Sequence, residues 1–131
     1  MSPSAREGVV SALANALAVE PDVAFAYLHG SFLVDAPFRD IDVAAFFAAG
    51  TPHPAERAVA LADRLSGLVR MPVDVRALND APVTFRFHAL RGRLLSVRDE
   101  ALLSEVLEAT MRGYFDLAPI LRDATREAFA R

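Results

Sequence analysis

The sequence predicts a small mixed β-sheet covered by helices, an α/β protein of the mixed α+β type, and three observations lead to this fold class. Apolar residues recur at the spacing that places them on one face of a helix, in several separate stretches. Short apolar runs lie between these stretches, and in residues 73–78 apolar and charged residues alternate, as in a half-buried strand. The resulting order is helix, strand, strand, helix, strand, helix, strand, helix, which suits a sheet flanked by helices.

The first helix is predicted from a capping-box pattern in which Ser4 is the N-cap and Glu7 reaches back to it. Apolar residues at 9, 10, 13 and 17 continue the helical spacing, and the helix should end near Glu20. Residues 23–29 are short, apolar and aromatic, which predicts a buried strand. Residues 40–47 predict a second strand, which is apolar apart from two acids.

The second helix should follow the turn at residues 50–54, with Thr51 as its cap and Pro52 in its first turn. Its predicted apolar face consists of Ala58, Leu61, Ala62, Leu65, Leu68 and Val69. After the alternating strand, residues 83–91 are compatible with a short helix and residues 93–97 with a fourth strand. A long helical stretch follows, in which residues 116–119 predict a fresh N-cap or a kink because Pro119 cannot continue the hydrogen bonding.

Length and composition indicate one globular domain over residues 1–131, with a C-terminal helical segment at about 99–131. The chain is 53% hydrophobic and 24% charged, which is typical of a protein with a buried core. No apolar run approaches the roughly 18–20 residues that a membrane span needs, so no membrane partner is expected. The N-terminus lacks the pattern of a signal peptide and cysteine is absent, and both features predict a cytoplasmic protein.

The basic residues exclude two classes of enzyme. All 14 are arginine, so the chain lacks the lysine that a P-loop and Schiff-base chemistry require. The net charge of −3 argues against a broad nucleic-acid surface, so no direct nucleic-acid partner is expected. A local group of arginines is more typical of a solvated face or a partner contact; it contains Arg86, Arg91, Arg93 and Arg98.

A Gly-Ser turn follows the first predicted strand. Gly30 would let the backbone approach a ligand closely, since it has no side chain. If a short helical turn begins at Ser31, its N–H groups would attract an anion, and the hydroxyl could bind a phosphate oxygen. The same two residues also occur in ordinary turns, so the pair by itself is a weak signal.

Two carboxylates begin the second predicted strand. Asp40 and Asp42 are two residues apart, and such residues project from the same face of a strand. Mg²⁺ is commonly held by one or two carboxylates together with substrate phosphates, so a divalent cation would relieve their repulsion. The alternative is that Asp40 caps a loop and Asp42 faces solvent. The apolar residues 43–47 argue for a special purpose, because such a strand is a poor environment for an acid without one.

A third carboxylate lies in the next predicted strand. Asp74 is flanked by Val73 and Val75, which must face the other side of the sheet. If this strand neighbours that of Asp42, the three acids converge, and Asp74 could also take the proton of an attacking hydroxyl. The alternative is an exposed Asp74 paired with Arg76 on the same face.

Together these motifs resemble the DNA polymerase β-like nucleotidyltransferase superfamily, whose signature is a Gly-Ser turn, Asp-x-Asp in a strand and an acid in a later strand. In this chain they are Gly30-Ser31-Phe32, Asp40-Ile41-Asp42 and Asp74. Over nearly its whole length the chain is similar to the small MNT-domain (MntA-like) antitoxins, which pair with HEPN-domain ribonuclease toxins. The resemblance implies a minimal nucleotidyltransferase fold with a mixed sheet of about four strands.

The resemblance also implies a function. MNT antitoxins transfer AMP from ATP to tyrosine hydroxyls of a HepT-like HEPN toxin, so ATP, Mg²⁺ and such a toxin are the expected substrate, cofactor and partner in a hetero-oligomer. By resemblance, Gly30 and Ser31 would hold the triphosphate, and Asp40, Asp42 and Asp74 would be the catalytic, metal-binding acids. Arg39, where relatives often have serine, could contact the phosphates or be solvated.

Two other functions stay open at this point. The segment between Ser31 and Asp40 is shorter than in most relatives and contains no glycine. A weakly active or inactive module that neutralises its partner by covering it is therefore one alternative. Transfer of a nucleotide to a small molecule such as an aminoglycoside is the other.

Overall fold

The computed structural model describes residues 1–33 and 40–129, the last of these without its side chain. The helices are α1 (Pro3–Ala18), α2 (Pro54–Val69), α3 (Val83–Ala89) and α4 (Glu100–Phe129). The strands are β1 (Val23–His29), β2 (Ile41–Phe47), β3 (Val73–Ala77) and β4 (Arg93–Val97). A short 3-10 turn, Ser31–Leu33, follows β1.

The described strands form one sheet in the order β3-β2-β1-β4. β1 pairs antiparallel with both β2 and β4, whereas β2 and β3 are parallel. α2 supplies the crossover that a parallel pair requires. The predicted fold class, a mixed four-stranded sheet with helices around it, is confirmed.

Each face of the sheet buries a hydrophobic core. On one face, α1 and α2 pack their buried residues, among them Leu13 and Leu61, against β-strand residues such as Phe47. On the other face, α3 and α4 cover Phe25 and its neighbours, with Leu103 among the buried helix residues. Because α1 and α2 cover one face of the sheet and α3 and α4 the other, both faces of the inner strand β2 are buried along most of its length, which explains why residues 43–47 are apolar.

Three predicted boundaries were wrong. α1 is capped by Ser2, whose side chain accepts a hydrogen bond from the N–H of Ala5 at 3.1 Å, and not by Ser4. Pro3 explains the shift, because proline is favoured at the first helical position, where its missing N–H is not needed. α2 likewise begins at Pro54, with His53 at the N-cap instead of Thr51, and β2 begins one residue after Asp40.

The end of α1 and the course of α4 also differ from prediction. α1 ends at Ala18 instead of near Glu20, and of the two outcomes predicted at 116–119 the fresh N-cap is absent, since α4 continues through Pro119. Proline removes the backbone donor that would serve the carbonyl of Phe115, and because Phe115 is 62% exposed, water can satisfy that carbonyl. No described helix is both long enough and apolar enough to cross a membrane.

The arginines grouped in the sequence make contacts within the chain. Three of them reach an oxygen: Arg86 donates to the carbonyl of Leu78 at 2.8 Å, Arg93 pairs with Glu7 at 2.7 Å, and Arg98 donates to the carbonyl of Ala18 at 2.7 Å. The fourth, Arg91, lies 5.5 Å from the centre of the Phe87 ring. They connect α3 and β4 to the rest of the protein.

Candidate active site

Asp42 lies between two residues of the neighbouring strands. It is the register partner of His29 in β1 and of Asp74 in β3. Residues directly opposite one another in a sheet project from the same face, so the three side chains share one side of the sheet. Asp74 is therefore on the same side as Asp42.

The Gly-Ser turn closes against the Asp42 side chain. Gly30 has a φ of +82°, a conformation that residues with a Cβ rarely adopt, and a Cβ at this position would overlap the Asp42 carboxylate. The 3-10 turn begins at Ser31, where the sequence predicted a short helical turn, and the N–H of Leu33 donates to the carbonyl of Gly30 at 3.2 Å. Both strain and space require glycine here.

Arg6 of α1, which the sequence did not indicate as a site residue, contacts this turn. The Arg6 guanidinium of α1 donates to the carbonyl oxygen of Phe32 and lies 5.0 Å from the centre of its ring. Phe32 is itself buried in the first core. Nothing in the local sequence could reveal this contact, because the two residues are 26 positions apart and meet only through the packing of α1.

The electrostatics of Asp42 reflect its crowded position. Burial raises the pKa of its carboxyl above the ordinary value, and the charges of Asp74 and Asp40 raise it further, while His29 lowers it. An acid whose charge is disfavoured in this way gains from a cation placed among these groups. The negative charges of Asp40 and Asp74 therefore both act on the Asp42 carboxyl.

His29 contributes a partly buried ring to this face. Burial lowers the pKa of its imidazole, and the Arg76 guanidinium lowers it as well, against the opposite effects of Asp42 and Asp74. Its ring meets Phe85 edge to face, with the centroids 5.6 Å apart. Its Nε2 atom is buried and has no hydrogen-bond partner among the described residues. The sequence pattern gave no sign of this contact between His29 and Phe85, which are far apart in the chain.

Asp74 and Asp40 border the site from the solvent side. Both are exposed, Asp74 near the start of β3 and Asp40 just before β2. The alternative that Asp74 pairs with Arg76 is not realised: no ion pair joins them, and the Arg76 guanidinium instead lies 4.0 Å from the centre of the Phe85 ring. Arg39, the remaining predicted site residue, lies outside the described residues.

The donor set suits a hard cation that shares its ligands with a substrate. In residues 1–33 and 40–129, no three histidine, aspartate or glutamate side chains are close enough together to hold a metal by themselves. Mg²⁺, however, is usually bound by one or two carboxylates plus phosphate oxygens. The paired Asp42 and Asp74 carboxylates offer such ligands, and Asp42 packs directly against the Gly-Ser turn.

The fold and the arrangement of these acids define a class of protein, the nucleotidyltransferases. The chain belongs to the family described as polymerase beta, nucleotidyltransferase, whose model matches residues 11–101. That span runs from the middle of α1 to the start of α4 and includes every described residue of the candidate site named above except Arg6. None of the curated protein sequences matches this chain.

Solved structures of toxin–antitoxin complexes contain chains with a similar fold. One is the toxin–antitoxin MntA–HepT, with 17% identity, a TM-score of 0.59, and coverage of 95% of this chain and 99% of that one. A second is a tri-AMPylated HEPN toxin of Shewanella oneidensis in complex with an MNT antitoxin, with 19% identity, a TM-score of 0.59 and the same coverage. A third, a toxin–antitoxin with AMP-PNP, has 20% identity and a TM-score of 0.63, and covers 91% of this chain and 98% of that one.

Proposed function

We propose that this protein is an antitoxin that transfers AMP from ATP to tyrosine hydroxyls of a partner HEPN ribonuclease toxin. The observation that carries the proposal is the register pairing of Asp42 with Asp74 beside the Gly30 turn, since it brings acids of separate strands next to a backbone suited to phosphate. The similar solved structures support the choice of acceptor and nucleotide, because one contains a tri-AMPylated HEPN toxin and another contains AMP-PNP.

The Gly-Ser turn would bind the triphosphate of ATP. Gly30 lets the turn approach the Asp42 carboxylate closely, and Ser31 adds a hydroxyl at the start of the 3-10 turn. Arg6 keeps the turn in place through the carbonyl of Phe32. Arg39 is proposed as a further phosphate contact, on the strength of its charge and its position next to Asp40.

The three acids would hold Mg²⁺ and handle the proton. Asp40, Asp42 and Asp74 are the proposed ligands, and bound Mg²⁺ would neutralise charge on the phosphates during transfer. Asp74 is exposed at the outer strand of the sheet, where an acceptor hydroxyl can reach it, so it is the proposed recipient of the hydroxyl proton. Positioning and charge neutralisation would supply most of the rate.

The reaction replaces a phosphoanhydride bond of ATP with a phosphoester bond to tyrosine. The tyrosine oxygen forms a bond to the α-phosphorus of ATP, the bond from that phosphorus to the β-phosphate oxygen breaks, and pyrophosphate leaves. The phenolic proton passes to the Asp74 carboxylate and then to water. An ATP-dependent reaction is also consistent with action in the cytoplasm.

Incubation with ATP, Mg²⁺ and the protein encoded by the adjacent gene tests the proposal. Adenylyl mass increments on tyrosines of that protein, together with loss of its ribonuclease activity, are the expected result. A variant that lacks all three acids should add no AMP and should not neutralise the toxin enzymatically. If this variant neutralises the toxin as well as the wild type does, the protein acts by covering its partner, and the proposed function is wrong. Modification of an aminoglycoside without any partner protein would equally contradict it.

A further inference from the structure

Arg76 has a position that the proposed chemistry leaves unused. It lies on β3 two residues after Asp74, and the alternating burial of this strand places both side chains on the exposed face. Its guanidinium lies 4.0 Å from the centre of the Phe85 ring, and no carboxylate of the described residues forms an ion pair with it. An exposed arginine that is fixed on an aromatic ring next to an acid is a candidate for contact with a ligand.

Phe85 connects Arg76 with the rest of the site. This residue belongs to the first turn of α3, is half-buried, and packs against the second core. Its ring meets the His29 ring edge to face and also contacts the Arg76 guanidinium. The same guanidinium lowers the pKa of the His29 imidazole, which agrees with their closeness. Arg76 and Phe85 therefore lie next to the row formed by His29, Asp42 and Asp74, on the same face of the sheet; we name this pair the Arg76–Phe85 wall.

The sheet order separates a nucleotide side from an acceptor side. The Gly-Ser turn follows β1, Asp42 belongs to β2, and Asp74 and Arg76 belong to β3, the outer strand of the described sheet. A triphosphate on the Gly-Ser turn would lie on the β1 side of Asp42. Arg76 lies beside Asp74 on the outer strand β3, and its guanidinium packs on Phe85, which also touches His29 of β1. A protein acceptor could approach Arg76 from the open edge of β3.

We propose that the Arg76–Phe85 wall positions the aromatic ring of the acceptor tyrosine, with the Arg76 guanidinium stacked between Phe85 and that ring. The inference rests on the proposed function, because it presumes a tyrosine acceptor. A guanidinium is planar, and with one face on Phe85 its exposed face offers a surface that matches a phenol ring. Such stacking would direct the hydroxyl of the tyrosine towards Asp74, two residues away on the same face. Arg76 is thus a positioning residue.

Kinetics of AMP transfer to the adjacent-gene toxin, with ATP and toxin varied separately, test this role. Arg76→Ala should raise the KM for the toxin about tenfold, as expected for a desolvated cation–aromatic contact. The KM for ATP and the Kd of AMP-PNP, measured by calorimetry, should stay unchanged. Arg76→Lys should resemble Arg76→Ala, because lysine keeps the charge but lacks the plane. Phe85→Leu, which retains an apolar side chain under Arg76, should raise the KM for the toxin as well.

Arg91→Ala is the matched control. Arg91 is also an exposed arginine over a phenylalanine, 5.5 Å from the centre of the Phe87 ring, but it does not influence the pKa of Asp42 or His29. Its loss should leave both KM values unchanged. A rise in the Kd of AMP-PNP for Arg76→Ala would show a phosphate contact and overturn the inference, as would full rescue by lysine or an unchanged KM for the toxin. If the wild type transfers no AMP at all, the proposed function fails first and the inference falls with it.

Discussion

Asp42 connects the parts of the candidate site. It pairs in register with His29 and Asp74, and its carboxylate packs against the Gly30 turn. Burial and neighbouring acids raise its pKa, so the folded protein holds this charge at some expense in stability. An unfavourable charge at a position with these contacts is typical of a functional residue.

Replacement of this charge should separate activity from stability. Asp42→Asn should abolish AMP transfer, because the amide cannot ligate Mg²⁺ as a carboxylate does. The melting temperature should stay equal or rise slightly, since the substitution removes a partly buried charge that repels Asp74. Intact-mass analysis of the partner and thermal unfolding measure the two effects. An Asp42→Asn variant that still transfers AMP would refute the assignment of this residue.

The space at Gly30 can be tested against an equally strained glycine. Gly30→Ala should displace the Asp42 carboxylate and eliminate nucleotide binding, in addition to a destabilisation of about 1–2 kcal/mol from its positive φ of +82°. Gly50→Ala is the control, because Gly50 has a φ of +89° but no atom within 4 Å of an added Cβ. Gly50→Ala should lower the free energy of unfolding through backbone strain and leave nucleotide binding unchanged. Calorimetric titration with AMP-PNP measures nucleotide binding by the two variants, and urea unfolding measures their stability. If Gly30→Ala and Gly50→Ala bind AMP-PNP with equal affinity, the contact of Gly30 with Asp42 is unimportant.

At the scale of secondary-structure elements, a group of ion pairs fixes the turn before β1 to α2. Glu20, only 6% exposed, pairs with Arg57 at 2.8 Å and also with Arg64. Arg57 bonds Asp22 as well, at 2.6 Å. These contacts position the start of β1, the strand that ends in the Gly-Ser turn. Loss of one partner would destabilise the protein, because it would leave a partly buried charge unpaired.

The ion pairs predict a pH dependence of stability. Hydrogen bonding to Arg57 lowers the pKa of the Asp22 carboxyl below its ordinary value of 3.8. The stability from this group is therefore present above that value and is lost as the pH falls through the lowered pKa of the folded state. Asp22→Asn should lower the free energy of unfolding at pH 7 and flatten its decline between pH 5 and pH 2, as urea unfolding at each pH would show.

Asp63→Asn is the control for this prediction, because Asp63 is exposed on α2 and forms no ion pair in the part of the chain that the structure describes. Its curve should follow that of the wild type. If the Asp22→Asn and wild-type curves run parallel down to pH 2, the Arg57 contact does not stabilise the fold.

The turn between α3 and β4 depends on a second close approach. A Cβ on Gly92 would overlap the carbonyl oxygen of Leu28 in β1, so Gly92→Ala should push β4 away from the sheet. We expect a loss of roughly 2 kcal/mol or more in the free energy of unfolding, because the obstacle is backbone and cannot rotate away. Gly67→Ala, in α2 with no atom within 4 Å, should instead stabilise by up to about 1 kcal/mol. Urea unfolding of both variants measures these effects. An unchanged free energy of unfolding for Gly92→Ala would contradict the close packing of Gly92 against Leu28.

Local patterns predicted the elements well and their ends less well. The apolar run of β1 and the alternation in β3 depend on burial of one or both strand faces, so the sequence carries them directly. The starts of α1 and α2 were wrong because more than one residue before each helix can act as a cap, and prolines at Pro3 and Pro54 decided between them.

The candidate site was predictable only in part. Spacing placed Asp40, Asp42 and Asp74 on strands, and the sheet order then brought Asp42 and Asp74 into register. The contacts of Arg6 with Phe32 and of Arg76 with Phe85 were not predicted, because they join segments that meet only through tertiary packing. Such contacts leave no periodic signal in one sequence.

At the scale of the whole molecule, α4 divides into a packed and an exposed half. Its first half buries Leu103 and Val106 on the sheet, and further along, the Tyr114 ring stacks on Phe87 at 3.6 Å between centroids. Beyond this stack, residues 119–128 are all exposed, and Ile120 is 64% exposed. This second half contributes little to the described core.

Truncation tests this division. A chain that stops after Ala118 keeps the Tyr114–Phe87 stack, so its free energy of unfolding should change by less than about 1 kcal/mol. Urea unfolding at two protein concentrations measures this and detects self-association. A large loss of stability that depends on concentration would show that the second half of α4 packs against another chain.

The most direct test of the account is a crystal structure with AMP-PNP and Mn²⁺, which replaces Mg²⁺ and is visible by its anomalous scattering. We expect the anomalous peak of Mn²⁺ between the carboxylates of Asp42 and Asp74, with the triphosphate along Gly30 and Ser31. A nucleotide bound elsewhere, or a Mn²⁺ peak that Asp74 and Asp42 do not touch, would contradict it.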